Sequence, residues 1–187
     1  MSPRVVLSGR VRTLLLAVAS TAAFALAARV LDPALVRPGA WPRPLAEPEL
    51  GAVLATLAGY QAIYQDFFAS GGNPAMLGQF PASAGVKHRI FRDVGFLRDE
   101  GLVMVQDLAS ATTLSAVQAG PDTAEVVLFE EWNWIFQREA DRSPASNEKG
   151  LGQGFRYVLT REGGRWIVTS WRQEDVPPPA APLGAFE

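Results

Sequence analysis

The sequence predicts an α+β domain in which helices pack on one face of an antiparallel sheet. Three observations predict it. Apolar residues recur every three or four positions through residues 50–68 and again through 86–97, the mark of amphipathic helices. From Leu102 the period changes to two, as strands require. Near the C-terminus, FRYVLTR and RWIVTSW flank Glu162-Gly163-Gly164, a hairpin signal. Helices gathered first and strands afterwards indicate α+β and not alternating α/β.

The chain opens on a different kind of segment. Arg4, Arg10 and Arg12 precede an uncharged run from Thr13 to Ala28, with Ala25-Leu26-Ala27 as an A-x-A cleavage site. The run is shorter than the roughly 20 residues of a bilayer span, which favours a cleaved signal peptide over residues 1–28. Val30 and Leu31 carry the apolar run past Arg29, so an N-terminal membrane anchor is the alternative. Either places the body outside the cytoplasm, secreted or anchored to the cytoplasmic membrane. Residues 29–48 contain Pro33, Pro38, Pro42, Pro44 and Pro48 and read as an extended linker. The folded domain is expected over 49–175, and the Pro-rich residues 176–187 as a disordered tail.

Composition narrows the function classes. Hydrophobic residues make up 48% of 187, enough for a packed core. There is no cysteine, hence no disulfide, thiol nucleophile or thiolate metal site. Removal of Arg4, Arg10 and Arg12 with the leader leaves 14 basic against 19 acidic residues, a net of −5. Such a body lacks the basic footprint of a nucleic-acid binder. His88 is the only histidine and sits among Lys87, Arg89 and Arg92, so it is expected in solvent and no metal site is expected. No cofactor is expected either.

The first helix spans ELGAVLATLAGYQAIYQDFFAS, with Glu47 and Glu49 suited to its N-terminal dipole and Gly71-Gly72 ending it. Asn73-Pro74 reads as an N-cap and first helical position for a short turn reaching Phe80. A third helix from Val86 lines Ile90, Val94 and Leu97 on one face and closes at Gly101. LVMVQDL and TTLSAVQ are strand-like, with a bulge expected near Ala109–Ala111. After the AGPD turn, Thr123–Gln137 forms a long strand. Arg138–Gly154 is polar and glycine-containing and is expected as a loop, either disordered or a partner-binding lid; its GLGQG precedes a strand and cannot cradle phosphate as a helix N-terminus does.

The closing FRYVLTREGGRWIVTSW resembles the final hairpin of NTF2-like (SnoaL-type, cystatin-like) domains. DTAEVVLFEEWNW resembles the preceding strand, and the opening helix followed by GGNPAMLGQF resembles the family's first helices. The resemblance covers about Leu50–Asp175. It implies a cone, with a curved antiparallel sheet of four or more strands wrapped around the long helix. The secreted or anchored setting expected from the leader is similar to that of NTF2-like modules in bacterial cell-envelope proteins, which mostly bind or scaffold. A protein partner, a small apolar ligand in the cone, or a second copy docked through the sheet are the implied partners.

Residues 130–136, EEWNWIF, carry the candidate chemistry. Strand alternation sends Glu130 and Glu131 to opposite faces, so they cannot flank one bond as paired carboxylates. One is expected in solvent and the other near the sheet rim. Trp132, Trp134 and Phe136 share a face with Val126, Leu128 and Glu130, opposite Phe129 and Ile135. In the last hairpin, Trp166 and Val168 are likewise set against Ile167 and Trp171. No residue is assigned a catalytic role; by resemblance to the fold's isomerases, the candidates are Glu130 as general base and Tyr157 or Tyr64 as donor. The expected ligand-facing walls are Tyr64, Trp132, Trp134, Tyr157 and Trp166. An enzyme would aim Glu130 or Asp66 into an open cavity.

Overall fold

The computed structural model describes residues 41–179; the expected leader, the first part of the linker and the end of the tail lie outside them. The elements are β1 (Arg43–Pro44), α1 (Glu49–Ala69), a 3-10 turn (Pro74–Met76), α2 (Ala84–Asp99), β2 (Leu102–Gly120), β3 (Thr123–Arg138), β4 (Pro144–Glu162) and β5 (Arg165–Glu174). The strands form one antiparallel meander in the order β1-β2-β3-β4-β5. Both helices pack on it, and the core lies between.

The helix ends follow the local chemistry. No side chain caps Pro48, but Glu47 Oε2 accepts the Gly51 N–H at 3.2 Å, so an acid serves the first turn of α1. Asn73 Oδ1 accepts from Ala75 N at 3.1 Å with Pro74 at the first helical position. That 3-10 turn is shorter than expected and gives way to turns before Phe80. Ser83 caps α2, which therefore starts two residues before Val86. Its start is tied to the sheet by Ser83 N to Val168 O at 2.9 Å and Val168 N to Pro81 O at 2.8 Å. Val86, Ile90, Val94 and Leu97 are all buried.

Gly71 and Gly72 end α1 at φ +72° and +84°. A Cβ on Gly72 would stand 2.7 Å from Val94 Cγ1, so the corner between α1 and α2 closes to a distance only glycine permits. Gly72→Ala should therefore lower stability by about 2 kcal/mol or more. Gly59→Ala, mid-helix with nothing within 4 Å of its Cβ position, should raise it by about 0.5–1 kcal/mol. Paired urea titrations check both, and equal midpoints for the two variants would contradict the account.

Three features differ from the sequence expectation. Part of the expected linker belongs to the sheet: Arg43 pairs with Gln118, Pro44 with Val117, and Leu45 is buried. Proline is admissible there because an edge strand leaves one side without ladder partners. The expected loop at Arg138–Gly154 is mostly strand, since β4 runs from Pro144 and pairs with β3 along its length. Its glycine at 152 is a packing requirement, because a Cβ there would lie 2.5 Å from Phe129 Cζ. The third difference is one of parity. Val158 pairs with Ser170 and Leu159 with Val168, so Thr169 is an extra residue. That bulge turns Trp171 to the same inner face as Trp166 and Val168, not the opposite one.

β2 is one strand interrupted by register shifts at Leu108/Ser110, Thr113/Ser115 and Gln118/Gly120, the first at the expected bulge. Such bulges increase twist and curvature, which lets the sheet wrap α1.

Candidate functional site

The inner face of β3 presents Val126, Leu128, Glu130 and Trp132 beneath α1, with Phe155 and Tyr157 of β4 and Trp171 of β5 beside them. Glu130 is 1% exposed, at the centre of the cone. It is not at the sheet rim as expected. The meander places β3 in the middle of the sheet, and the long strand carries its midpoint under the helix.

Three neutral donors hold the carboxylate. Gln61 Nε2 and Tyr157 Oη donate to Oε1 at 2.6 and 2.8 Å, and Trp132 Nε1 donates to Oε2 at 2.7 Å. Burial pushes the Glu130 pKa up, and the hydrogen bonds from Trp132, Tyr157 and Gln61 act against that shift. Glu131, on the other face, is exposed and accepts from Ser110 Oγ at 2.8 Å. The two acids thus separate as alternation requires. Asp66 is also exposed.

A cavity of about 60 Å³ adjoins the carboxylate, lined by Tyr60, Gln61, Tyr64, Glu130, Trp132, Phe155, Tyr157 and Trp171. Tyr60 Oη and Trp171 Nε1 are buried there without a well-formed hydrogen bond. Burial raises the hydroxyl pKa of Tyr60, Tyr64 and Tyr157, so all three are neutral. Beside the cavity, the Arg89 guanidinium lies over the Trp171 ring at 4.0 Å and donates to its carbonyl at 3.4 Å. Arg89 also pairs with Asp93 at 4.0 Å, whose own pKa is raised by burial against the pull of Arg89 and Arg92.

Of the sequence-derived candidates, Glu130, Tyr64, Trp132 and Tyr157 meet at this cavity. Trp134 and Trp166 do not. Trp134 packs against the core cluster from the same strand face, with Nε1 buried and unpartnered. Trp166 lies at the start of α1: Arg161 stacks on its ring at 4.8 Å, and Glu49 accepts from both Arg161 and Trp166 Nε1. That cluster pins the helix to the last hairpin. Sequence reasoning missed Tyr60, Gln61, Phe155 and Trp171 as site residues. Gln61 had a signal, a polar residue between Tyr60 and Tyr64 on a helix face otherwise apolar. Phe155 lies two residues before Tyr157 and so shares its face. Among the described residues, no group of three or more His, Asp or Glu side chains could hold a metal.

No protein-family profile and no curated protein matches the chain. Among solved structures it is similar to the intermembrane space region of the chloroplast protein ARC6, at 17% identity and a TM-score of 0.56, over 70% of this chain and 98% of that one. A ketosteroid isomerase-like protein from Erwinia carotovora atroseptica aligns at 14% identity and a TM-score of 0.41, over 71% and 100% of the two chains. An NTF2-like protein of unknown function from Prochlorococcus aligns at 11% and 0.39, over 72% and 97%. At 17% identity the likeness to the ARC6 region is one of fold: an α+β domain with helices held against a curved antiparallel sheet.

Proposed function

We propose that this is an exported or membrane-anchored NTF2-like domain without enzymatic activity that binds a protein partner at the cell envelope. The small interior of the cone is the observation that supports it. About 60 Å³ is far below the ~300 Å³ of an ordinary organic-ligand pocket, so recognition of anything large falls to the outer surface. Among the described residues, Ile135, Leu114 and Phe96 are the large apolar side chains exposed there. The basic-then-apolar N-terminal segment supports export. The likeness to a region described as lying in an intermembrane space is in keeping with a place at an envelope. A photo-crosslinking residue at 135, 114 or 96 of the full chain, expressed in its own cells, tests the reading. Adducts whose mass is not twice that of the uncrosslinked protein in the same envelope fraction are expected there. Only dimer adducts would favour self-association through the sheet, and cytosolic adducts would overturn the location.

A second reading is favoured by one observation. Glu130 is a buried acid of raised pKa bonded to Tyr157 beside a cavity, as an acid–tyrosine enzyme of isomerase, cyclase or dehydratase type requires. Against it, three hydrogen bonds stabilise the charged carboxylate, which lowers its strength as a base, and the cavity is small for an organic substrate. Exchange of the α-protons of a small ketone with deuterated water separates the readings: exchange by the parent that a stably folded Glu130→Gln variant loses supports catalysis, and no exchange above buffer by the parent supports binding.

A further inference from the structure

We propose that the cone binds a small alkylammonium cation, seated on the Glu130 carboxylate and faced by the rings of Tyr60, Tyr64, Trp132, Tyr157 and Trp171. Three features of the cavity carry this. The first is charge. All three groups bonded to Glu130 are neutral, and among the described residues no Lys, Arg or His pairs with it within 4.0 Å. A buried acid without a cation is costly, and a bound cation removes that cost. The carboxylate has about four lone-pair sites, of which three donors occupy three, so one direction is left for the N–H of a mono-, di- or trialkylammonium, while a tetraalkyl cation would be held by charge and the rings alone. Tyr60 Oη, which Trp171 Nε1 approaches within the buried wall, keeps a further acceptor lone pair beside the cavity.

The second feature is the aromatic lining. Six of the eight lining residues are aromatic, and ring faces attract alkylated ammonium groups by their negative quadrupole. The fold already uses one of these rings in this way, since Arg89 lies 4.0 Å over Trp171. Arg89 does not serve Glu130, being paired with Asp93 and the Trp171 carbonyl. The third is size. A cavity of about 60 Å³ has room for a group of a few non-hydrogen atoms, such as trimethyl- or tetramethylammonium, and not for a larger organic ligand. An anion is repelled by the carboxylate, and a neutral molecule of the same size gains at most a hydrogen bond from it and no charge attraction.

The site is inside the cone and the proposed partner surface is outside, so each can fail alone. The full-length chain, purified in detergent, is titrated with the chlorides of methyl-, trimethyl- and tetramethylammonium. Sodium chloride at matched ionic strength and tert-butanol, a neutral molecule with the five non-hydrogen atoms of tetramethylammonium, are the controls. Tryptophan fluorescence and calorimetry read binding. Saturable binding of at least one alkylammonium is expected below about 10 mM, with none for sodium or tert-butanol. Glu130→Gln, with an unchanged circular dichroism spectrum, should weaken it by about tenfold or more. Tyr64→Leu, at a half-buried ring, should weaken it by about threefold or more and serves alone if the first variant does not fold. No saturation up to about 100 mM, equal binding of tert-butanol, or undiminished binding by the folded variant would overturn the proposal.

Discussion

Glu130→Ala should destabilise the domain by about 3 kcal/mol or more, whereas Glu130→Gln should leave it at least as stable as the parent at neutral pH. The alanine leaves Gln61 Nε2, Tyr157 Oη and Trp132 Nε1 without an acceptor at a buried site, at about 1–3 kcal/mol for each donor that water does not reach. Relief of the buried charge offsets part of this, hence the lower figure. Glutamine keeps the volume and removes the charge. Its oxygen can accept from Trp132, a donor only, while its NH₂ can donate to the Tyr157 hydroxyl and to a flipped Gln61 amide. Chemical denaturation of the three proteins at pH 7 measures the order. An alanine variant as stable as the parent would show that the three donors find partners elsewhere.

The same residue sets a pH dependence. Burial raises the folded pKa of Glu130 above its ordinary value of 4.5, so the folded state binds this proton more tightly than the unfolded chain does. The associated stability is fully present below the unfolded pKa. It is lost as pH rises from there through the folded pKa, and is flat beyond. The groups facing Glu130 are Gln61, Tyr60 and Tyr64 from α1, Trp132 from β3 and Tyr157 from β4; the tyrosines titrate far above this window. Denaturation of the parent between about pH 4.5 and neutrality should show this loss on top of contributions from other acids, and Glu130→Gln should lack that component. Identical pH profiles for the two proteins would mean that Glu130 does not titrate in this range.

Phe67→Ala should cost about 3–5 kcal/mol, the largest effect expected of a purely apolar change. Phe67 is fully buried, set edge-on to Phe80 at 5.6 Å and 83° and to Phe68 at 6.4 Å and 81°. Its ring tip lies 3.6 Å from the Cβ position of Gly72, where the chain turns towards α2. Removing the ring thus opens a cavity at the junction of α1 with the following turn, where Gly72 already leaves no slack. Phe96→Ala, at 48% exposure on α2, should change stability by no more than about 0.5 kcal/mol. A shift in urea midpoint confined to Phe67 checks this, and comparable losses at both positions would place Phe96 in a contact its exposure does not indicate.

Local periodicity was sufficient for α1, α2, the existence of the final hairpin and the shared face of Glu130, Trp132 and Trp134, because each depends on side-chain direction within one element; that this face is the inner one came from the packing of α1. It also separated Glu130 from Glu131. Only the assembled sheet put Glu130 at the centre of the cone rather than at its rim, since depth depends on which strands flank β3. Trp171 entered the cavity through one extra residue at Thr169, and a bulge is defined only against the partner strand. Arg43–Pro44 and the first half of β4 carry prolines, glycines and polar residues that alone read as linker and loop. Pairing with β2 and β3 made them strands, because a ladder hydrogen bond is satisfied by a neighbour far away in the chain.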